Sequence, residues 1–435
     1  MLIINAPFTA HSAPDDVTSE GRQFVEFLAK GDFAGAVARF DDTMKYALPE
    51  SKLRVLWQDL ETQNGRFQKQ VGIRKIHSAG YEVALVTCKF ERKILDVKVV
   101  FDIGGKVTGL FYFPSAGYVS DIPSYASTNT FREKELIVGR DEWQLPGTLT
   151  LPRNGTGPWP GVVLVHGSGP EDRDETGGAN KPFRDLAWGL AAKGVAVLRY
   201  EKRTREYAAK FHEKYPAHFT VREETVDDAV SAVARLRDAK EIDPKRIFVL
   251  GHSMGGMLAP MIGKADTNIA GLILLAGATR HVDQVIVEQT RYLVSLDGAP
   301  SAEGEAHLAR VESDVARIKA LTAADVSSSV ILFGAQPAYW LDLRGYDPLE
   351  AAKQLTQPLL ILQGGRDYQV TQIDFNCWKQ ALGSRTNVTF KFYPKLNHQF
   401  IAGEGKSLPA EYDQAAHVVE PVIDDIAEWI KGHHN

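Results

Sequence analysis

The sequence Ile247-Phe-Val-Leu-Gly-His-Ser-Met-Gly255 decides the fold expected for this chain. Its four leading apolar residues predict a buried strand, and the residues after Gly255 continue with the spacing of a helix. A strand that turns into a helix so abruptly places Ser253 at the apex with strained dihedral angles. The glycines at Gly251 and Gly255 avoid the side-chain collisions of so tight a turn. The stretch therefore predicts a serine hydroxyl held clear of the backbone, where it can act as a nucleophile.

Strand and helix patterns alternate on both sides of this stretch. Continuous apolar runs, typical of strands that are buried on both faces, occur at 159–166, 195–200, 269–276 and 359–362. Helical patterns separate them, and one of these opens with a capping box of Thr220 and Glu223. The alternation predicts a doubly wound, mostly parallel sheet within a domain spanning residues 133–431.

A long insertion lies between the predicted strand that ends near Gly277 and the one that starts at Leu359. It exceeds what a crossover connection needs, and it carries helical patterns of its own. We expect residues 281–355, approximately, to form a cap over the active site. Tyr339 and Trp340 lie in this cap. Substrate contact and burial in the core of the cap are equally compatible with two such aromatic side chains.

The region before residue 115 has a different organisation, with helical patterns first and β-rich segments after them. Residues 15–114 therefore read as a small α+β domain, and 115–132 as a linker interrupted by proline, serine and asparagine. The layout resembles the small cone-shaped domains of the nuclear-transport-factor-2-like superfamily. In particular, it resembles the domain of unknown function that is often fused to bacterial α/β-hydrolases. Packing or formation of a homo-oligomer is the expected role.

A catalytic serine needs a base and an acid. His398 follows the predicted strand 388–393 on a loop, the position where catalytic residues of α/β sheets collect. Asp367 follows the strand and glycine turn of 358–366, and the order Ser, Asp, His matches the hydrolase triad. Asp374 is the alternative acid, although it falls inside the next helical pattern.

The rival histidines are less suited to the role of base. His417 falls in a helical pattern, His433 and His434 lie near the end of the chain, and His252 cannot easily fold back onto Ser253 from within the turn.

An oxyanion hole needs two backbone N–H groups that point at the developing charge. One is expected from Met254, directly after the nucleophile. The other is expected from Ser168 in the stretch His166-Gly-Ser-Gly-Pro170, where small residues let the backbone approach the substrate. The same glycines lack the third glycine and the lysine of a phosphate-binding loop, so nucleotide binding is not expected.

With this predicted nucleophile, base, acid and oxyanion hole, residues 133–431 resemble α/β-hydrolases of the esterase and acyl-peptidase type. The stretches 166–174, 181–187, 198–200 and 251–256 are similar to bacterial serine carboxylesterases that carry the N-terminal cone domain. The resemblance implies a triad of Ser253, Asp367 and His398, an acyl-enzyme intermediate, and no metal or organic cofactor. It does not identify the natural substrate.

Composition limits the possible partners and compartments. The 435 residues are 44% hydrophobic with a net charge of −5, which gives no reason to expect a nucleic acid partner or a membrane span. The two cysteines, Cys88 and Cys377, are too few for a disulfide framework or a cysteine metal site. The first residues lack a complete signal peptide, so a cytoplasmic location is expected. If Ala10-His-Ser-Ala13 is the remnant of a leader, the protein is secreted or periplasmic.

The sequence thus favours a carboxylesterase acting on small, soluble, short-acyl esters. An aminoacyl-peptidase or amidase of the same fold is the alternative, although the N-terminal region lacks the blade repeats of a propeller gate. A non-catalytic binding protein of the hydrolase fold is the third hypothesis, against which the complete triad order argues.

Overall fold

The computed structural model describes residues 17–78, 81–102, 104–115, 122–140, 142–208, 210, 219–296, 298–328 and 330–433. The expectations concerning Ala10–Ala13 and His434 lie outside these ranges.

The chain divides into two compact units. The first contains the described residues before Ile122, together with Gly177–Asn180 and Pro409–Ala416. The second contains the described residues of 122–176, 181–408 and 417–433. The two short segments of the first unit come from within the predicted hydrolase domain, and the sequence does not anticipate where they belong.

The first unit has the predicted α+β organisation. Its helices are Val17–Ala29, Phe33–Ala38, Asp42–Ala47 and Glu50–Asn64. Its strands are β1 (Phe67–Ser78), β2 (Tyr81–Phe90), β3 (Ile94–Phe101) and β4 (Val107–Pro114), which form an antiparallel sheet in that order. Helix residues such as Phe24 and Trp57 share one hydrophobic cluster with Val86 and Phe101 of the sheet. This cluster is the core of the unit.

The second unit is built on an eight-stranded sheet. Its strands are β5 (Phe131–Val138), β6 (Leu145–Pro152), β7 (Trp159–Val165), β8 (Ala196–Tyr200), β9 (Ile242–His252), β10 (Gly271–Leu275), β11 (Leu359–Gly364) and β12 (Val388–Tyr393). Their order is β12-β11-β10-β9-β7-β8-β6-β5. The β5–β6 and β6–β8 pairs are antiparallel and the other pairs are parallel. The predicted mostly parallel sheet is confirmed, and β5 begins inside the stretch predicted as a linker.

Helices cover both faces of this sheet. Alternate residues of β7 belong to two different hydrophobic clusters, as expected of a strand that is buried on both faces. One cluster includes residues of the helices Pro182–Ala192 and Glu420–Gly432, and the other includes residues of Asp227–Arg237 and Gln372–Leu382. The sheet is therefore the middle layer of three.

The insertion between β10 and β11 is helical. Its helices are Val282–Val294, Ala302–Ala320, Pro337–Gly345 and Pro348–Lys353. Ser301 caps the longest of them, because its hydroxyl accepts a hydrogen bond from the Gly304 amide at 3.1 Å. Within the described part of the chain, no helix is long and apolar enough to cross a membrane.

Candidate active site

The turn between β9 and the helix Met254–Ala265 has the strained geometry that the motif predicts. Ser253 adopts φ 53° and ψ −116°, in a region that favours glycine. A Cβ atom at Gly251 would lie 2.1 Å from the Gly255 carbonyl oxygen, and one at Gly255 would lie 2.3 Å from that of Val165. Only glycine fits at either position. The Ser253 amide donates to the Leu275 carbonyl at 2.9 Å, which fixes the turn to the end of β10.

Asp367 and His398 come together from the ends of two neighbouring strands. Asp367 follows β11, His398 follows β12, and the His398 Nδ1 lies 2.7 Å from the Asp367 Oδ2. The other carboxylate oxygen accepts the amides of Gln369 and Val370 at 2.8 and 3.0 Å. Because an ionised carboxylate only accepts hydrogen bonds, Nδ1 carries the proton and Nε2 is free to take one.

A short turn holds the histidine loop in place. The Asn397 side-chain oxygen accepts the amides of Gln399 and Ile401, each at 3.1 Å. This local pattern is an Asx turn. It restricts the backbone on both sides of His398, and its residue type is visible in the sequence.

The alternative acid, Asp374, pairs with residues other than a histidine. It is fully buried in the helix Gln372–Leu382 and accepts hydrogen bonds from Arg280 and from the amide and hydroxyl of Thr279. The prediction that His417 lies in a helix is wrong. His417 precedes the helix Glu420–Gly432, whose first turn contains a proline, and its Nδ1 lies 3.1 Å from Asp185.

The loop after β7 approaches the nucleophile. A Cβ atom at Gly167 would lie 3.2 Å from the Cβ of Ser253 and 3.7 Å from its Oγ. The Gly167 amide donates to the Glu175 Oε1 at 2.6 Å, so this amide is already occupied. Ser168 supplies the next amide in the loop. The Met254 amide lies in the first turn of the helix, at the positive end of the helix dipole.

His252 and Glu175 form a buried pair that sequence reasoning missed. The His252 Nδ1 lies 2.8 Å from the Glu175 Oε2, and its Nε2 lies 2.9 Å from the His398 carbonyl oxygen. Although burial opposes a charge on the imidazole, the Glu175 carboxylate raises the pKa of His252 to about 9. His252 is indeed turned away from Ser253, as expected. No sequence pattern identifies Glu175, whose partners lie on two other segments.

A cavity of about 480 Å³ opens beside Ser253. Residues that line it include Ser168, Met254, Phe219, Ile286, Tyr339 and Trp340. Such a volume and a largely apolar lining are typical of small-molecule sites.

Tyr339 and Trp340 are both buried and also face the cavity. The Tyr339 hydroxyl donates to the Glu224 Oε2 at 2.7 Å, and the Trp340 indole donates to the Leu332 carbonyl at 3.0 Å. The two alternatives that the sequence left open for this pair are therefore compatible. Glu224, whose other oxygen lies 2.8 Å from the Lys202 Nζ, is a lining residue that no motif revealed.

Comparisons with known proteins agree with this architecture. A family profile described as serine aminopeptidase, S33 matches residues 162–405, and that of a protein family of unknown function, DUF3887, matches 21–110. The chain is 40% identical to esterase EstD of Thermotoga maritima over 411 residues, which are 94% of this chain and 93% of EstD. The chain belongs to the serine aminopeptidase S33 family of hydrolases. It is an ester hydrolase of the α/β-hydrolase superfamily, with the N-terminal domain that the sequence predicts.

Solved structures with more distant sequences share part of this fold. The Pyrococcus furiosus esterase PF2001 is 16% identical, with 70% of this chain and 92% of that chain covered at a TM-score of 0.44. Est1E from Butyrivibrio proteoclasticus is 17% identical, with 69% and 98% covered at a TM-score of 0.43.

Proposed function

We propose that the chain is a serine carboxylesterase that hydrolyses small, short-acyl esters through Ser253, His398 and Asp367. The observation that carries the proposal is the 2.7 Å contact between His398 and Asp367, on loops that meet the strained serine turn. A buried carboxylate that orients an imidazole near a serine at the edge of a cavity is the arrangement that acyl transfer requires.

The reaction proceeds in two steps. The His398 Nε2 removes the Ser253 proton as the hydroxyl oxygen attacks the ester carbonyl, and the Ser168 and Met254 amides bind the resulting oxyanion. The alcohol leaves with the proton from His398, which gives the acyl-enzyme. Water, deprotonated by His398, then releases the acid and restores Ser253. Asp367 keeps its negative charge throughout and stabilises the imidazolium.

The cavity favours esters over substrates with a free amino terminus. Among the described residues that line the cavity, Glu224 supplies the acidic group, and the Lys202 Nζ neutralises this carboxylate at 2.8 Å. A substrate ammonium would therefore meet no net negative charge there. The aminoacyl-peptidase alternative would need such a charge, whereas an apolar acyl chain would not.

Labelling with a fluorophosphonate probe tests the proposal. Ser253→Ala should abolish labelling and lower kcat on p-nitrophenyl acetate by a factor on the order of 10⁶. Ser231→Ala is the matched control, because that hydroxyl is bound to the Asp227 carbonyl in a helix. A Ser253→Ala variant that keeps a tenth of the rate would contradict the proposed nucleophile. Faster cleavage of an aminoacyl anilide than of the ester would favour the peptidase.

A further inference from the structure

The pair formed by Glu175 and His252 lies behind the triad and takes no part in the proton transfer. Both side chains are 8% exposed, and the 2.8 Å contact is an ion pair rather than an aligned hydrogen bond. Glu175 has φ 50°, a strained value for a residue other than glycine. A buried, strained ion pair beside a nucleophile calls for an explanation, because burial of charge is costly.

The partners of His252 determine its protonation. The His398 carbonyl oxygen only accepts hydrogen bonds, so the His252 Nε2 at 2.9 Å must carry a proton. The Glu175 Oε2 lies 2.8 Å from the Nδ1, and a lone pair on this nitrogen would repel the carboxylate oxygen, whereas a proton there is attracted to it. His252 is therefore an imidazolium, in agreement with the raised pKa described above.

We propose that the Glu175–His252 ion pair positions two parts of the site relative to each other. One is the loop His166–Pro170, which carries the Ser168 amide, and the other is the catalytic base His398. The inference rests on the proposed function, since it assigns Ser168 and His398 the roles given there. Glu175 and His252 are positioning residues, because they act through these two groups.

The contacts form a continuous path between the two halves of the site. One Glu175 oxygen accepts the Gly167 amide, next to Ser168, and the other contacts His252. His252 in turn donates to the backbone of His398, and the two imidazole rings are 4.6 Å apart between centroids. On the other side, the Lys202 Nζ donates to the Gly167 carbonyl at 2.8 Å.

Substitution of Glu175 tests this path. Glu175→Ala should lower kcat on p-nitrophenyl acetate about 100-fold, with KM nearly unchanged, because misplaced groups act on the transition state. Glu175→Gln should lose less, since its amide can still accept from Gly167 and donate to a neutral His252. Asp185→Asn is the matched control: it removes the carboxylate of a carboxylate–histidine pair outside the site, the one with His417, and should leave kcat unchanged.

The pH profile gives a second readout that a purely structural role would not affect. The ionisable groups around the pair are His398, Asp367, His166, Glu171, Asp172 and Lys202. Burial raises the pKa of Glu171 to about 7, so the acid side of the profile is not diagnostic. On the alkaline side, wild-type kcat should fall near pH 9, where His252 loses its proton. Glu175→Gln should remove this step, because its His252 is already neutral.

Nitrogen NMR of histidine-labelled protein at pH 7.5 measures the protonation directly. The His252 ring should show two protonated nitrogens in the wild type and one in Glu175→Gln. The inference would be overturned if wild type and Glu175→Gln had equal kcat values and the same fall of kcat at alkaline pH. A neutral His252 in the wild type would overturn it as well. If Glu175→Ala does not fold, Glu175→Gln and the NMR spectrum still test the positioning role of the ion pair. Failure of the proposed function is a separate result, because it would appear as activity in Ser253→Ala.

Discussion

Asp367 and Asp374 are both buried carboxylates, and their partners differ. Asp367 contacts a histidine, whereas Asp374 pairs with the permanently charged Arg280. Asp367→Asn should lower kcat about 10⁴-fold with little change in KM, because the amide no longer holds the imidazole tautomer. Asp374→Asn is the comparison. It should reduce stability while keeping the activity per folded molecule, measured by active-site titration. The reverse pattern would make Asp374 the acid.

His166 adds a prediction about stability in acid. Its ring is 1% exposed and packs against Phe183 and Tyr200, and burial lowers its pKa from 6.5 to about 4. Between these values the unfolded chain binds a proton that the folded chain does not, so His166 lowers the free energy of unfolding as pH falls from about 6.5 towards 4.

Urea titrations across this range measure the effect. His166→Phe should flatten the loss of stability, whereas His307→Gln, which alters an exposed histidine, should not. An unchanged pH dependence in His166→Phe would show that other groups account for the loss.

The residues of the site differ in how readily the sequence reveals them. Ser253, Asp367 and His398 each follow a recognisable strand, and their order along the chain is informative, so the sequence identifies the pair that the structure brings together. The roles of Glu175 and Glu224 follow only from their contacts with distant segments of the chain. No motif distinguishes either residue in the sequence, and only the folded chain reveals them.

Among the elements, the helix Pro337–Gly345 has the clearest functional consequence, since it carries both Tyr339 and Trp340 into the cavity. Trp340→Ala should enlarge the cavity and shift the preferred acyl chain of p-nitrophenyl esters towards longer chains. Trp429→Ala is the matched control, because that indole is similarly buried but packs against Phe248 and Gly271.

Both substitutions should cost about 3–5 kcal/mol of stability, the usual effect of removing a buried tryptophan. Only Trp340→Ala should alter the ratio of kcat/KM for hexanoate and acetate esters. The same ratio in both variants would mean that the tryptophan serves the core of the cap alone.

The strands were more predictable than their surroundings. Apolar runs identify β7 to β11 because strands buried on both faces contain few polar residues. β5 begins inside the predicted linker, because four of its eight positions, Arg132 to Glu135, carry charged residues. Such an edge strand resembles a linker in composition.

At the scale of the whole molecule, all seven predicted site residues belong to the second unit. A fragment that begins at Ile122 should therefore still react with a fluorophosphonate. It should also unfold at a lower temperature, because Gly177–Asn180 and Pro409–Ala416 lose the rest of their unit. Circular dichroism and labelling measure the two effects. A folded fragment that does not react would show that the first unit is required to complete the site.

The first unit is assembled from three separate stretches of the chain, and this affects how such proteins can be recombined. The Ala179 amide donates to the Tyr412 carbonyl at 2.8 Å, and the Lys93 Nζ lies 3.7 Å from Asp413, so distant stretches of the gene encode surfaces that must match. A chimera that takes only the residues before Ile122 from a relative would join mismatched surfaces. Exchange of 177–180 and 409–416 along with them would keep each inherited surface with its original partner.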